Sequence, residues 1–281
     1  MNLRGWLKRW IYGSCPGLAG SFSYFGTRVF FPRGSHIFEK ACATGVYERD
    51  NLKLLAALVR PGTAYLDVGA NIGLLSIPIL HCFPTSQIVS FEPSPNTLPF
   101  LQRTQRESGF GDRWRVVGKA VGSKAGSLEF FTHSPAMGAF DSLRETQRAE
   151  GSAKQVVPVT TIDIEWEALG KPVVSMVKID VEGAELSALT GAAGCIAAHR
   201  PNILLEWNAE NLAAFDCAPE TLLTFAGASG YAIFSLPDLA PVDGPAVLRL
   251  RLLATENFLL VPNPPGADWS VHYGSFRGLR E

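Results

Sequence analysis

Along this chain, short apolar runs that close on a polar residue alternate with segments in which apolar positions recur every three or four residues. Runs of the first kind are Ala64–Val68, Gln87–Phe91, Trp114–Val117, Val173–Ile179 and Asn202–Glu206, and their length and composition predict strands. Helical spacing lies between them at Ile72–Cys82, Pro95–Glu107 and Glu185–Ile196. The β-α-β-α rhythm predicts an α/β fold with a mostly parallel sheet and helices on both faces. "SLEFFT" and "QVVPVTTID" predict further strands, separated by a polar loop from His133 to Lys154, while "YAIFSL" and "ENFLLVP" predict two closing strands. There is no internal repeat. Residues 1–51 are expected to form an N-terminal cap, residues 52–263 one domain, and residues 264–281 an extended tail.

Composition narrows the classes. Of 281 residues, 47% are hydrophobic and 18% charged, which suits a globular protein with a well-filled core. A net charge of -1 supplies no field for a polyanion such as nucleic acid. Five scattered cysteines with no C-x-x-C pair argue against a disulfide framework or a zinc site and fit a reducing, cytoplasmic compartment. No apolar run is long enough to span a membrane. In "MNLRGWLKRWIYGSCPGLAG", Trp6, Trp10 and Tyr12 stand beside Arg4, Lys8 and Arg9. The segment is expected to dock on the domain through its aromatics, with weak membrane-surface contact as the other reading.

The chemistry begins in "AYLDVGANIGLLSIPIL". Ligands of an open parallel sheet bind at the carboxyl ends of its strands, and Asp67 and Gly69 stand at such an end, with Asn71 and Gly73 following. Glycine lets backbone approach a ligand, and helix amides supply donors. A carboxylate there repels a pyrophosphate but pairs with a cation, and Gly69-x-x-x-Gly73 is not the dinucleotide spacing. In "IVSFEPSP" the second strand closes on Glu92, which can accept both hydrogen bonds of a ribose diol. A cationic, ribose-bearing ligand without phosphate describes S-adenosylmethionine. The structural alternative is that Asp67 caps a helix and Glu92 is merely exposed.

The segments "LDVGANIGLLS", "FEPSP", "AVGSKAGSLEF", "VKIDVEGAELSALTGA" and "PNILLEWN" resemble, in order, the FkbM family of S-adenosylmethionine-dependent methyltransferases. "GVYERDNLKLLAALVRPG" resembles the segment preceding the family's first glycine motif. The resemblance implies a Rossmann-like, mostly parallel seven-stranded sheet with an antiparallel last strand, here "ENFLLVP". It also implies O-methylation of a sugar, glycolipid, glycan or polyketide-type acceptor, and a Glu48 that reaches the methionine amino group. Many methyltransferases place an Asp after strand three to hold the adenine amine. This chain has "VVGKAVGS" there, and Lys119 cannot accept a hydrogen bond, so adenine recognition is expected from backbone near Ala120 or from Asp112.

A hydroxyl acceptor must lose its proton, which calls for a base or a metal. "VKIDVEGAE" supplies Lys178, Asp180, Glu182 and Glu185 at the end of strand four, and "LLEWN" adds Glu206 and Asn208. Asp180, Glu182 and Glu206 are the catalytic candidates, whereas Glu185 better fits a first-turn residue facing a helix dipole. Asp180, Glu206 and Asn208 form an oxygen set acceptable to magnesium, a less favoured reading than direct binding of substrate hydroxyls. His133 is expected on an exposed loop and His81 at a helix end, and the loop from His133 is expected to act as a substrate lid. Other readings are a non-catalytic nucleoside-binding module, a nucleic-acid methyltransferase and a nicotinamide dehydrogenase. The intact acidic cluster opposes the first, the absence of an N-P-P-Y-like motif and a basic stripe the second, and Asp67 with the glycine spacing the third.

Overall fold

The computed structural model describes residue 7 and residues 19–132 and 153–263. Trp6, Trp10, Tyr12, His133, the lid sequence as far as residue 152 and the 264–281 tail lie outside the described residues.

The strands, in chain order, are β1 (Gly20–Tyr24), β2 (Thr27–Phe31), β3 (Ala64–Val68), β4 (Gln87–Phe91), β5 (Trp114–Val117), β6 (Ala120–Val121), β7 (Gly126–Thr132), β8 (Ala153–Thr160), β9 (Val174–Ile179), β10 (Asn202–Glu206), β11 (Tyr231–Ser235), β12 (Ala240–Pro241) and β13 (Asn257–Pro262). The central sheet runs β12-β11-β13-β10-β9-β3-β4-β5. The five strands from β10 to β5 are parallel, and β13 inserts antiparallel between β10 and β11. The sheet is therefore α/β and Rossmann-like, with eight strands where seven were expected. The extra one, β12, is a two-residue edge strand ending in Pro241, a residue that suits an edge because it has no N–H to donate.

Side-chain alternation splits the core between the two faces of the sheet. Tyr65 of β3 packs with Ile72, Leu75 and the rings of the N-terminal segment, where Phe31 stacks on Phe38 at 3.8 Å. Leu66 and Val68 face the opposite layer with Phe91, Ile179, Leu189 and Leu205. The β1–β2 hairpin turns through Phe25 and Gly26, both at positive φ, as a two-residue hairpin requires. His81 sits at a helix end and shares a 2.9 Å hydrogen bond with Thr27 of that hairpin.

Two helices differ from their sequence patterns. The one expected from Ile72 is regular only over Ser76–Cys82, because Asn71 (φ 50) and Gly73 (φ 84) hold the preceding loop in the left-handed region. The pattern Glu185–Ile196 is two helices, Glu185–Thr190 and Ala193–His199. They break at Gly191, whose carbonyl accepts from Asp163 N–H and where a Cβ would stand 2.1 Å from the Gly122 carbonyl oxygen. The Asp163 carboxylate then accepts from Gly194 and Cys195 N–H, capping the second helix. β6, β7 and β8 form a separate three-stranded sheet.

Candidate active site

Strand order reverses between β3 and β9, and a cavity of about 370 Å³ opens there at the carboxyl ends of the strands. The consecutive strands β4, β3, β9 and β10 end on Glu92, Asp67, Asp180 and Glu206, and all four line the cavity.

At one end, carboxylates organise backbone. Glu92 is buried and accepts from the N–H of Asn71 (2.9 Å) and Ser94 (2.8 Å), which fixes the glycine loop against the turn after β4. Asp67 is 1% exposed; its Oδ2 accepts from the Ser76 hydroxyl at 2.6 Å, and Ser76 continues to Ser90 and on to Trp114 Nε1. Its Oδ1 has no hydrogen-bond partner. Burial raises the Asp67 carboxyl above its ordinary value, opposed by the Lys178 ammonium 3.9 Å away and by Ser76. Asn71 lines the cavity at positive φ. Glu48, also at positive φ, lines it from the helix start at Arg49 and accepts from Asn51 Nδ2 at 3.1 Å.

The two glycines do different work. Gly69 lines the cavity at φ 82, and a Cβ there would lie 1.8 Å from the Asp180 carbonyl oxygen, so its missing side chain admits the end of β9. A Cβ on Gly73 would instead meet Leu101 and Trp114 at 2.9 Å, on the packed side of the loop and away from the lining.

At the other end, carboxylates face one another. Oxygen atoms of Asp180, Glu182 and Glu206 lie within 4.8 Å of each other. Burial, then Asp180 and Glu182, push the Glu206 carboxyl well above the usual range. Glu182, at φ 55, accepts from Asn211 Nδ2 at 2.5 Å. Asn208 does not join this group. Its Oδ1 caps the helix Ala209–Ala214 by accepting from Glu210 and Asn211 N–H, and its Nδ2 donates to Glu256. The less favoured magnesium set thus lacks Asn208, and Lys178 already sets an ammonium 3.1 Å from Asp180 Oδ2. Glu185 turns back to accept from Val181 and Gly183 N–H, closing the loop after β9, and burial pushes its carboxyl up to about 7.

Toward β5, Lys119 and Ala120 line the cavity while Asp112 does not. The Lys119 ammonium is held by Glu165 at 2.9 Å. An apolar wall of Leu74, Phe91, Pro93, Val121 and Phe130 faces the same space. Sequence reasoning missed Tyr47, His36, Lys40, Glu256 and Asn257, which also line it. Tyr47 stood beside the flagged Glu48, and burial, with Glu48, Asp180 and Glu206 nearby, raises its phenol well above the ordinary value. Asn257 opens β13, where nothing in the local pattern marks it, and its Oδ1 accepts from Asn51 Nδ2 at 3.0 Å.

The family model described as the methyltransferase FkbM domain matches residues 67–227, more than half of this chain. The AMB antimetabolite synthetase AmbE of Pseudomonas aeruginosa is 32% identical over 117 residues, 41% of this chain and 5% of that protein. Methyltransferase sdnD of Sordaria araneosa is 26% identical over 152 residues, 45% of this chain and 59% of that protein. A solved structure of methyltransferase FkbM from Methylobacillus flagellatus aligns at 18% identity and a TM-score of 0.48, covering 76% of this chain and 48% of that one. The matches span less than two thirds of each of these proteins. The domain match over residues 67–227 nonetheless includes the end of β3, all of β4, β9 and β10, and the strand-end residues Asp67, Glu92, Asp180 and Glu206 of the cavity, and so the chain belongs to the FkbM methyltransferase family.

Proposed function

We propose that this methyltransferase alkylates a hydroxyl of a sugar, glycolipid, glycan or polyketide-type metabolite. The observation that carries this reading is the facing group Asp180, Glu182 and Glu206, in which burial and the neighbouring carboxylates raise the proton affinity of Glu206, as a group that accepts a hydroxyl proton requires.

Bound S-adenosylmethionine supplies an electrophilic methyl on its sulfonium. The residues fit its other parts. The carboxylate of Glu48, in the cavity lining, suits an ammonium, as the methionine end presents. Glu92 sets an acceptor-only carboxylate, fixed by two backbone N–H groups, in the cavity lining, where it suits a ribose diol. The wall of Leu74, Phe91 and Phe130, with backbone near Ala120, suits a flat heterocycle. Asp180 and Glu206 act as one coupled pair that accepts the acceptor's proton, and Glu182 shapes the same end. In-line displacement depends on holding the reactants in place, and the saturated hydrogen bonds of the glycine loop serve that end.

The test is incubation with isotopically labelled S-adenosylmethionine and panels of sugars, glycolipids and polyketide alcohols, read by product mass spectrometry. A labelled methyl ether supports the reading; label on nitrogen or carbon alone overturns it.

A further inference from the structure

Lys178 stands in β9 between the buried apolar side chains of Val177 and Ile179, and its side chain is 8% exposed. An ammonium in such a place loses its hydration, and an apolar side chain would fill the space without that loss. The partners it finds explain what it is for. Its Nζ donates to the Gly69 carbonyl at 3.1 Å and to Asp180 Oδ2 at 3.1 Å, and it faces Asp67 Oδ1 at 3.9 Å. All three partner residues line the cavity, and Asp67 is the direct cross-strand neighbour of Lys178.

The contact has a second component in the backbone. Asp180 N–H donates to the Val68 carbonyl at 3.0 Å, so consecutive carbonyls of the β3 end, Val68 and Gly69, are both tied to the β9 end. Gly69 approaches the Asp180 carbonyl too closely for any side chain. Lys178 thus holds the glycine loop and the acceptor-end carboxylate at the same time. We propose that Lys178 is a positioning residue that clamps the cofactor loop to the acceptor-end carboxylate, so that the donor and the proton acceptor share one rigid frame. The proposal rests on the reading of the cavity as the S-adenosylmethionine site.

The clamp differs from a scaffold role in what its loss does. A scaffold lysine that merely neutralises Asp67 and Asp180 can be removed together with one of those charges, and binding returns with stability. A clamp cannot be restored that way, because the Gly69 carbonyl stays unheld. The experiment measures adenosylhomocysteine binding by calorimetry and melting temperature by calorimetric scanning. It compares wild type, Lys178→Met, Asp180→Asn and the double variant Lys178→Met/Asp180→Asn. Binding to wild type checks the site reading by itself, and its absence would sink that reading before the clamp is addressed. The clamp predicts that the double variant regains most of the melting temperature lost by Lys178→Met. It also predicts that the double variant binds adenosylhomocysteine at least tenfold more weakly than Asp180→Asn does. Affinity within twofold of Asp180→Asn overturns the proposal. Failure of both lysine variants to fold assigns Lys178 to the scaffold and overturns it equally.

Discussion

The two ends of the cavity use the same residue type to opposite effect. At the β3–β4 end, Glu92 accepts two backbone N–H groups and Asp67 accepts a serine hydroxyl and faces an ammonium. These carboxylates are spent on geometry: they hold the glycine loop in left-handed conformations that no helix or strand would maintain. At the β9–β10 end, Asp180, Glu182 and Glu206 crowd within 4.8 Å, and their mutual repulsion adds to burial in raising Glu206. A carboxylate tied to backbone amides and a serine is fixed in place; one that faces other carboxylates gains proton affinity. Substitutions at the first end should therefore change affinity, and those at the second should change turnover.

The largest expected effect is at the second end. Asp180→Asn keeps the shape and removes the charge, and turnover with the true acceptor should fall by about 10²–10⁴. Single-turnover kinetics beside adenosylhomocysteine titration would check this; a loss expressed in affinity alone would erase the division between the ends. Gly69 comes next. With φ at 82 and the Asp180 carbonyl oxygen 1.8 Å from a would-be Cβ, Gly69→Ala should abolish cofactor binding and also cost about 3 kcal/mol of stability, seen in denaturant melts. A sequence-level view of Gly69 as room for the ligand alone has a bulkier side chain leave the fold intact, and the structure argues otherwise.

Glu92→Ala should weaken adenosylmethionine binding by about 1.5–3 kcal/mol, the scale of hydrogen bonds to a charged group, with turnover at saturation little changed. Unchanged calorimetric affinity in the folded variant would remove Glu92 from the site. The smallest effect sharpens the comparison from outside it. The Glu185 carboxyl, buried and raised from 4.5 to about 7, binds more protons folded than unfolded between those values. Its contribution is full below pH 4.5 and is lost as pH rises through about 7. Glu185→Gln should therefore match wild type in acid and exceed it increasingly as pH rises through about 7, in melts across that range. A pH-independent difference would show that Glu185 does not carry the shift.

Much of the frame was legible. β3, β4, β5 and β10 fall where the apolar runs begin and end, because a buried parallel strand must be apolar along its whole length and change character where it leaves the sheet. The strand-end residues Asp67, Glu92, Asp180 and Glu206 were legible for the same reason, as polar groups closing apolar runs. The helix boundaries were less so. Periodicity from Ile72 looks helical, yet Asn71 and Gly73 are in left-handed turns, Asn71 bonded to Glu92 and Gly73 set where a side chain would meet Leu101 and Trp114, groups that lie farther along the chain.

By itself, the sequence determined the alternation of buried strands and covering helices, since burial of apolar runs is a local demand that each segment states in its own residues. It also determined which polar groups stand at strand ends. Only the tertiary structure decided how those groups divide: that Glu92 is tied to Asn71 and Ser94, that Asn208 caps a helix, that Tyr47 and Asn257 enter the cavity, and that Lys178 joins Gly69 to Asp180. Those outcomes follow from strand order and register, which set β9 beside β3 and Lys178 opposite Asp67, and pairing between segments more than a hundred residues apart leaves no mark in either one.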